Sequence, residues 1–345
     1  MTRASKILVI RFSAMGDVAM TVPVLREFRQ QYPETAIIMA TRGLFEPFFK
    51  DVDHLDFHAF DPKGKHKGFF GLLKYFRELN KQDITAVADL HLNLRSTILC
   101  ILFFLSGKTI CRLDKGRADK KKLTRKFNKV LVPLQLNTER YADVFRKLGF
   151  PFTLSHQLIR KQAAPISPEL LPFIGANKTG KLIGLSPFAQ HQQKVYPLEK
   201  MEFVLMKLAE LNYKILIFGG SKEEAAIAAQ WEAQHDNIIS VINKINLETE
   251  LQLITHLDLM VSMDSSGMHL ASLMGIPVVS IWGATHPFAG FMGYGQSMDD
   301  AVQIELECRP CSIYGNIPCY RGDFACMNNL STLVVIDKIL EKIND

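Results

Sequence analysis

Short apolar runs alternate along the chain with longer stretches whose apolar positions recur every three or four residues. The first run, KILVIRF at 6–12, has the unbroken apolar character of a strand buried on both faces. VAMTVPVLREFRQQY (18–32) follows with helical spacing, and AIIMATR (36–42) reads as the next strand. HLDFHAFD (54–61) and ITAVADLH (84–91) continue the strands, with a helix at FFGLLKYFREL (69–79) between them. Such alternation predicts a parallel, doubly wound α/β sheet.

After a basic, irregular segment (112–130) and a helix at 138–150, the three prolines of KQAAPISPELLP (161–172) mark a linker. The same alternation then restarts. Strands are expected at 181–189, 214–220, 238–243, 259–264 and 277–283, with helices at 198–212, 222–234, 247–257 and 266–275 between them. Two Rossmann-like doubly wound domains facing each other across a cleft follow as the fold class, with ligands outside the carboxyl ends of the strands. The first domain is expected over 1–165 and the second over 176–330, with the last segment, 331–345, a helix.

Length and composition support this division. At 345 residues the chain exceeds the usual size of one core, and 48% hydrophobic with 22% charged residues is ordinary globular composition. A formal charge of +6 suits an anionic small molecule or an anionic surface without implying nucleic acid. MTRASKILVIRF has too short an apolar core for a signal peptide, and STILCILFFLSG (96–107) is shorter than the roughly 20 residues that span a bilayer. The expected location is therefore the cytoplasm, with 96–107 a buried or at most interfacial helix. The basic side chains Lys115, Arg117, Lys120, Lys121, Lys122, Arg125 and Lys126 form either a solvated loop or a contact with the inner face of a membrane.

The strongest candidate anion site is MVSMDSSGMHLASLMGIPVVSIWGATHP (260–287). A strand ends at Asp264, small residues turn the chain and a helix opens at once, so its free N–H groups would receive a phosphate. Ser265, Ser266 and Gly267 supply hydroxyls and close backbone approach, and His269 lies one turn further on. A simple helix cap at Asp264 or Ser265 accounts for one of these residues but not for all five. In SPFAQHQQKVYP (186–197), Lys194 offers a point charge to a phosphate, or is merely solvated. In FGGSKEE (218–224), Glu223 either accepts hydrogen bonds from ribose hydroxyls or caps a helix.

The turn SAMGD (13–17) after the first strand lacks the glycines of a dinucleotide or P-loop motif, and its carboxylate would repel a phosphate. Asp17 at a strand end suits general-base work on a hydroxyl; capping of the helix that begins at Val18 is the local alternative. DVD (51–53) reads as a loop rather than a metal site. Cys308, Cys311, Cys319 and Cys326 form a C-x2-C-x7-C-x6-C cluster, whose second pair lacks tight zinc spacing. Free thiols packing an irregular segment are expected there; neither a metal nor a cofactor is.

ILVIRFSAMGDVAMTVPVLREFRQQYP together with DSSGMHLASLMGIPVVSIWGATHP resembles the family 9 glycosyltransferases, the lipopolysaccharide heptosyltransferases, and the resemblance extends to the Cys-x-x-Cys tail. It implies a GT-B fold whose final helix crosses back to the first domain. It also implies inverting, metal-independent transfer of heptose from ADP-heptose to a lipid-anchored lipopolysaccharide core. By motif match, Asp17 stands at the catalytic base, and Ser13, Met15 and Gly16 belong to the same acceptor-side turn. Lys194 stands at the residue that contacts the donor phosphates, Glu223 at the residue that holds the ribose, and Asp264, Ser265, Ser266 and His269 in the donor motif. Ser265 replaces the usual Thr, and Ser266 the usual Gly, with Gly267 one position later. The rival readings are another GT-B transferase or epimerase, and a sugar-nucleotide or glycolipid binding protein without turnover.

Overall fold

The computed structural model describes residues 6–176, 178 and 180–345, which divide into two compact units. The first holds the chain up to Lys115 and then Gln135–His156; the second holds Gly116–Leu134 and Gln157–Asp345.

In the first unit, β1 (Lys6–Ile10) runs through a turn into α1 (Met15–Ala19) and α2 (Thr21–Gln31). The helix expected over 18–32 is thus interrupted at Met20, beside the 2.7 Å bond from the Thr21 hydroxyl to the Val18 carbonyl. β2 (Ala36–Thr41), β3 (Leu55–Ala59), α3 (Gly68–Asn80), β4 (Ala86–Asp89), α4 (Leu94–Leu105) and β5 (Thr109–Arg112) follow. The strands pair in parallel in the order β3-β2-β1-β4-β5. With β1 in the centre, both its faces are covered, which is why KILVI carries no polar position after Lys6. Leu72, Tyr75 and Leu79 of α3 and Leu99 and Phe103 of α4 pack on Leu8, Ile10 and Val87 of one sheet face. The chain leaves for the second unit at α5 (Arg117–Thr124) and returns as α6 (Asn137–Lys147), whose Phe145 ring lies 4.7 Å from Phe28 of α2.

The second unit contains α7 (Leu171–Ile174), β6 (Leu182–Ser186), α8 (Leu198–Glu210), β7 (Lys214–Ile217), α9 (Lys222–Glu232) and β8 (Ile238–Ser240). It continues with α10 (Leu247–Ile254), β9 (Leu259–Met263), α11 (Ser266–Met274), β10 (Val278–Ile281), β11 (Ala301–Val302), α12 (Ala325–Asn328) and α13 (Thr332–Asn344). Its six strands are parallel in the order β11-β10-β9-β6-β7-β8, so β9 and β6 are central.

Three expectations are corrected. The first unit ends at His156 rather than near 165. The last helix belongs to the second unit, because Val335, Ile336, Ile339 and Ile343 of α13 form one apolar stripe buried in that unit's core. The basic segment 112–130 is not a loop throughout, since Arg117–Thr124 form α5, while Arg117, Lys121, Arg125 and Lys126 stay exposed. Lys115 donates to the Leu92 carbonyl at 3.1 Å, Lys120 is buried 4.5 Å from the Phe291 ring centre, and Lys122 pairs with Asp119 at 3.0 Å.

Candidate functional site

Each unit gathers polar side chains at the carboxyl ends of its central strands, where the loops of a parallel sheet emerge. In the first unit Arg11 follows β1 directly, and Ser13 lies in the turn before Met15 and Gly16 open α1. Asp17, in the same short helix, has its Oδ2 2.5 Å from the buried Arg11 guanidinium. The backbone N–H of Ala14 reaches that oxygen only at 3.4 Å, so the ion pair rather than the cap orients the carboxylate. The Tyr141 hydroxyl of α6 lies 3.5 Å from Oδ1, and the Tyr141 ring faces the guanidinium at 5.7 Å. Arg11 is fixed from behind by a 2.6 Å bond to the Leu90 carbonyl.

The neighbouring strand end, after β4, is braced by Asp89, which is fully buried. Its Oδ1 accepts the backbone N–H groups of His91 and Leu92 at 3.0 and 2.9 Å, and its Oδ2 accepts Ser96 and Arg112 at 3.1 and 3.2 Å. The turn so held sets His91 Nδ1 to accept the Phe12 backbone N–H at 3.1 Å. Burial, aided by the positive charges of Arg11 and Lys115 against the opposing pull of Asp89, pushes the His91 pKa down to about 4. The ring is therefore neutral in the physiological range.

In the second unit, Lys194 and Asp264 come together: Nζ stands 2.9 Å from Oδ2, with both side chains largely buried. A short 3-10 turn, Gln192–Lys194, aims the lysine, and its stem runs over Gly315. At that glycine a Cβ would lie 2.4 Å from Lys194 Cγ, and φ is +73°, so both space and backbone call for glycine. A lysine offers three donors, and the carboxylate engages one face of the ammonium. Beyond Asp264, Ser265 is the N-cap of α11, yet its side chain makes no cap bond; its hydroxyl lies 3.4 Å from that of Ser262. The N–H groups of the first turn, at Ser266, Gly267 and Met268, thus have no side-chain cap.

Gly267 sits where the helix crosses the end of β6. A Cβ there would come within 2.3 Å of Ser186 Oγ and 2.4 Å of Ser186 Cβ. This close crossing is the physical reason for glycine at position 267. His269 is buried one turn into α11. Glu223 is exposed in the first turn of α9, and the capping of that helix falls to its neighbour. Ser221 and Glu224 form the reciprocal box, with Glu224 accepting from the backbone of Gly220 and Ser221 at 2.7 and 3.0 Å. Glu223 is left to its own backbone N–H and the Ser221 hydroxyl, which hold its carboxyl below the usual range.

Arg309 is the residue here that pattern reading does not find. Buried, it donates to the carbonyls of Gly283, Ile304, Trp282 and Thr285 at 2.5, 2.5, 3.2 and 3.0 Å, and to the side chain of Gln303 at 2.8 Å. It thereby fixes the loop leaving β10, whose Ala284 N–H in turn bonds Gln193 at 3.3 Å beside Lys194. Cys308, Cys311, Cys319 and Cys326 are free thiols lining one small cavity next to this arginine. Burial pushes Cys326 up to about 11. Among the described residues, no group of three or more His, Cys, Asp or Glu side chains is arranged to hold a metal ion.

The sequence profile of glycosyltransferase family 9 (heptosyltransferase) matches residues 72–317. The chain is 24% identical over 333 residues to lipooligosaccharide heptosyltransferase 2 of Campylobacter jejuni, which covers 94% of this chain and 95% of that protein. It superposes on a family 9 glycosyl transferase from Veillonella parvula with a TM-score of 0.75 at 20% identity, over 99% of this chain and 97% of that one. Against the ADP-heptose LPS heptosyltransferase II of E. coli the TM-score is 0.70 at 16% identity, over 98% of each chain. The fold is thus GT-B, with two parallel-sheet α/β domains.

Proposed function

From the premise that the chain belongs to glycosyltransferase family 9, the heptosyltransferases of the lipopolysaccharide core, we propose that it transfers a heptose from ADP-heptose to an inner-core hydroxyl, with inversion and without a required metal. The E. coli structural neighbour bears the ADP-heptose donor in its name, which supports that choice of sugar nucleotide. The acceptor hydroxyl attacks the anomeric carbon and gives its proton to Asp17, while the bond from that carbon to the diphosphate oxygen breaks and ADP departs. Lys194 and the N–H groups opening α11 meet the growing negative charge on the diphosphate, the work a metal would otherwise do. In this reading the exposed Glu223 accepts from the ribose hydroxyls. The acceptor is lipid-anchored, so the enzyme works at a membrane surface.

The observation carrying this reading is that the two ion pairs expose opposite partners. The carboxylate of Asp17 is 25% exposed over an Arg11 that is 8% exposed, whereas Lys194 is 16% exposed over an Asp264 that is 7% exposed. The first arrangement offers a proton acceptor, the second a cation. Asp17→Asn tests it, keeping the shape beside Arg11. Transfer from ADP-heptose is expected to fall by roughly 10²–10⁴-fold in kcat, with ADP affinity by calorimetry unchanged. Turnover within a factor of a few of the parent enzyme would remove Asp17 from the chemistry. Product analysis with other nucleotide sugars tests the donor, and faster transfer from one of them would replace ADP-heptose in this reading.

A further inference from the structure

A buried or interfacial helix is the expectation for α4, and the structure shows an outward face dominated by exposed apolar side chains. Ser96, Leu99, Cys100 and Phe103 point into the core. On the opposite side Leu94, Ile101, Phe104 and Leu105 are 77%, 54%, 68% and 76% exposed. Leu94, Ile101 and Leu105 recur at intervals of seven and four, which is one stripe of a helix. α3 and α4 cover the same sheet face and pack together, with the Phe76 and Phe103 rings 4.9 Å apart. At the start of α3, Phe69 and Phe70 are exposed as well. Six large apolar side chains on two adjoining helices expose on the order of several hundred Å², the upper end for a soluble monomer.

The rim of this face is basic. Between Lys63 and Lys81 there are six Lys or Arg residues and one acidic residue, Glu78, which itself pairs with His66 at 3.1 Å and Lys65 at 3.7 Å. Lys63, Lys67, Lys74 and Arg77 are exposed, as is Arg95 on α4. That charge selects the occupant. A second copy meeting this face about a two-fold axis would bring the same basic rim against itself, whereas an anionic lipid surface complements it. Spanning is excluded for α4: at 12 residues it falls short of the roughly 20 needed. Among the described residues, no helix is long and apolar enough to cross a membrane.

We propose that the outer face of α3 and α4 is a monotopic docking surface for an anionic bilayer, in which Phe70, Phe104 and Leu105 enter the acyl boundary while Lys63, Lys67 and Lys74 engage lipid phosphates. This rests on the functional reading only for the acceptor's lipid anchor. It places the membrane contact on a different surface from the basic segment 112–130, where Lys115 and Lys120 are already engaged within the fold.

The test is co-sedimentation of the full chain with phosphatidylglycerol/phosphatidylethanolamine vesicles free of lipopolysaccharide, so that docking and transfer fail separately. The parent chain is expected to bind these vesicles at low salt and to leave phosphatidylcholine vesicles unbound. Phe104→Ser with Leu105→Ser is expected to lower partitioning at least tenfold, with ADP binding retained as the check on folding. Lys63→Glu with Lys67→Glu is expected to weaken binding and flatten its salt dependence; Lys121→Glu is expected to change neither. In a separate variant, Phe104→Trp, indole fluorescence is expected to shift to the blue on vesicles and to be quenched by brominated lipid. Absence of binding to anionic vesicles overturns the proposal. So does a dimer, seen by sedimentation, that the Phe104→Ser, Leu105→Ser variant abolishes, since the face would then belong to a second copy.

Discussion

The Arg11–Asp17 pair of the first unit and the Lys194–Asp264 pair of the second occupy equivalent places, the carboxyl ends of central parallel strands, yet they are built inside out with respect to each other. In the first, the cation is locked behind the carboxylate by the Leu90 carbonyl and the Tyr141 ring. In the second, the carboxylate lies behind, and the ammonium is aimed by a 3-10 turn and a glycine under its stem. Each buried charge has its partner, without which burial would be costly. What differs is the charge left facing outward, and on that difference rests the proposal of a base in one unit and an anion seat in the other.

After the kcat loss set for Asp17→Asn, the largest expected effect is on the second pair. Lys194→Ala removes a charged hydrogen-bond donor worth about 1.5–3 kcal/mol to a diphosphate, so ADP affinity by calorimetry should fall roughly 10- to 100-fold. Asp264→Asn should show the same sign at smaller size, because the lysine loses its orienting partner and not its charge. The contrast between the units breaks if Lys194→Ala lowers kcat alone and leaves ADP binding intact.

Gly267→Ala comes next. Its Cβ would collide with Ser186, whose short side chain is anchored on a buried strand, so α11 must move outward. Overpacking of this kind costs about 1–3 kcal/mol. The expected outcome is a lowered melting temperature with ADP affinity reduced several-fold. Removing the obstacle should restore both in part, so Gly267→Ala with Ser186→Gly should bind ADP better than Gly267→Ala alone. An affinity unchanged in Gly267→Ala would mean that the opening of α11 is not where the diphosphate sits.

Places were legible in the sequence; partners were not. KILVI and LMVSM announce central strands because burial on both faces excludes polar residues, and strand ends followed by Asp17 or Asp264 mark the loops. Arg11 is silent as a partner because it meets Asp17 only once the chain folds back at α1. Arg309 is silent because the carbonyls it binds belong to no residue type. Glu223 and Glu224 are adjacent acids, and the box with Ser221 decides which one is left exposed. The apolar run of α4 fits a buried helix equally well until the sheet fixes which side of it is covered. The boundaries near 116 and 135 are silent in the sequence because an excursion of the chain between units leaves no compositional mark.

The smallest expected effect tests where the two units are alike. His91 in the first and His286 in the second each accept a backbone N–H through Nδ1, from Phe12 and from Phe288, both at 3.1 Å. Burial first, then nearby cations, pushes each ring down to about 4. The unfolded chain takes up these protons as pH falls through about 6.5, while the folded rings stay neutral until about 4. Stability from each ring is therefore complete above about 6.5 and is lost progressively toward pH 4. Between pH 7 and 5.5 the loss should be about 1 kcal/mol per ring. Urea unfolding at the two pH values measures it, and His91→Asn, which cannot protonate, should remove the first unit's share alone. An unchanged pH dependence in that variant would mean that His91 titrates normally in the fold, and that Phe12 does not depend on a neutral ring.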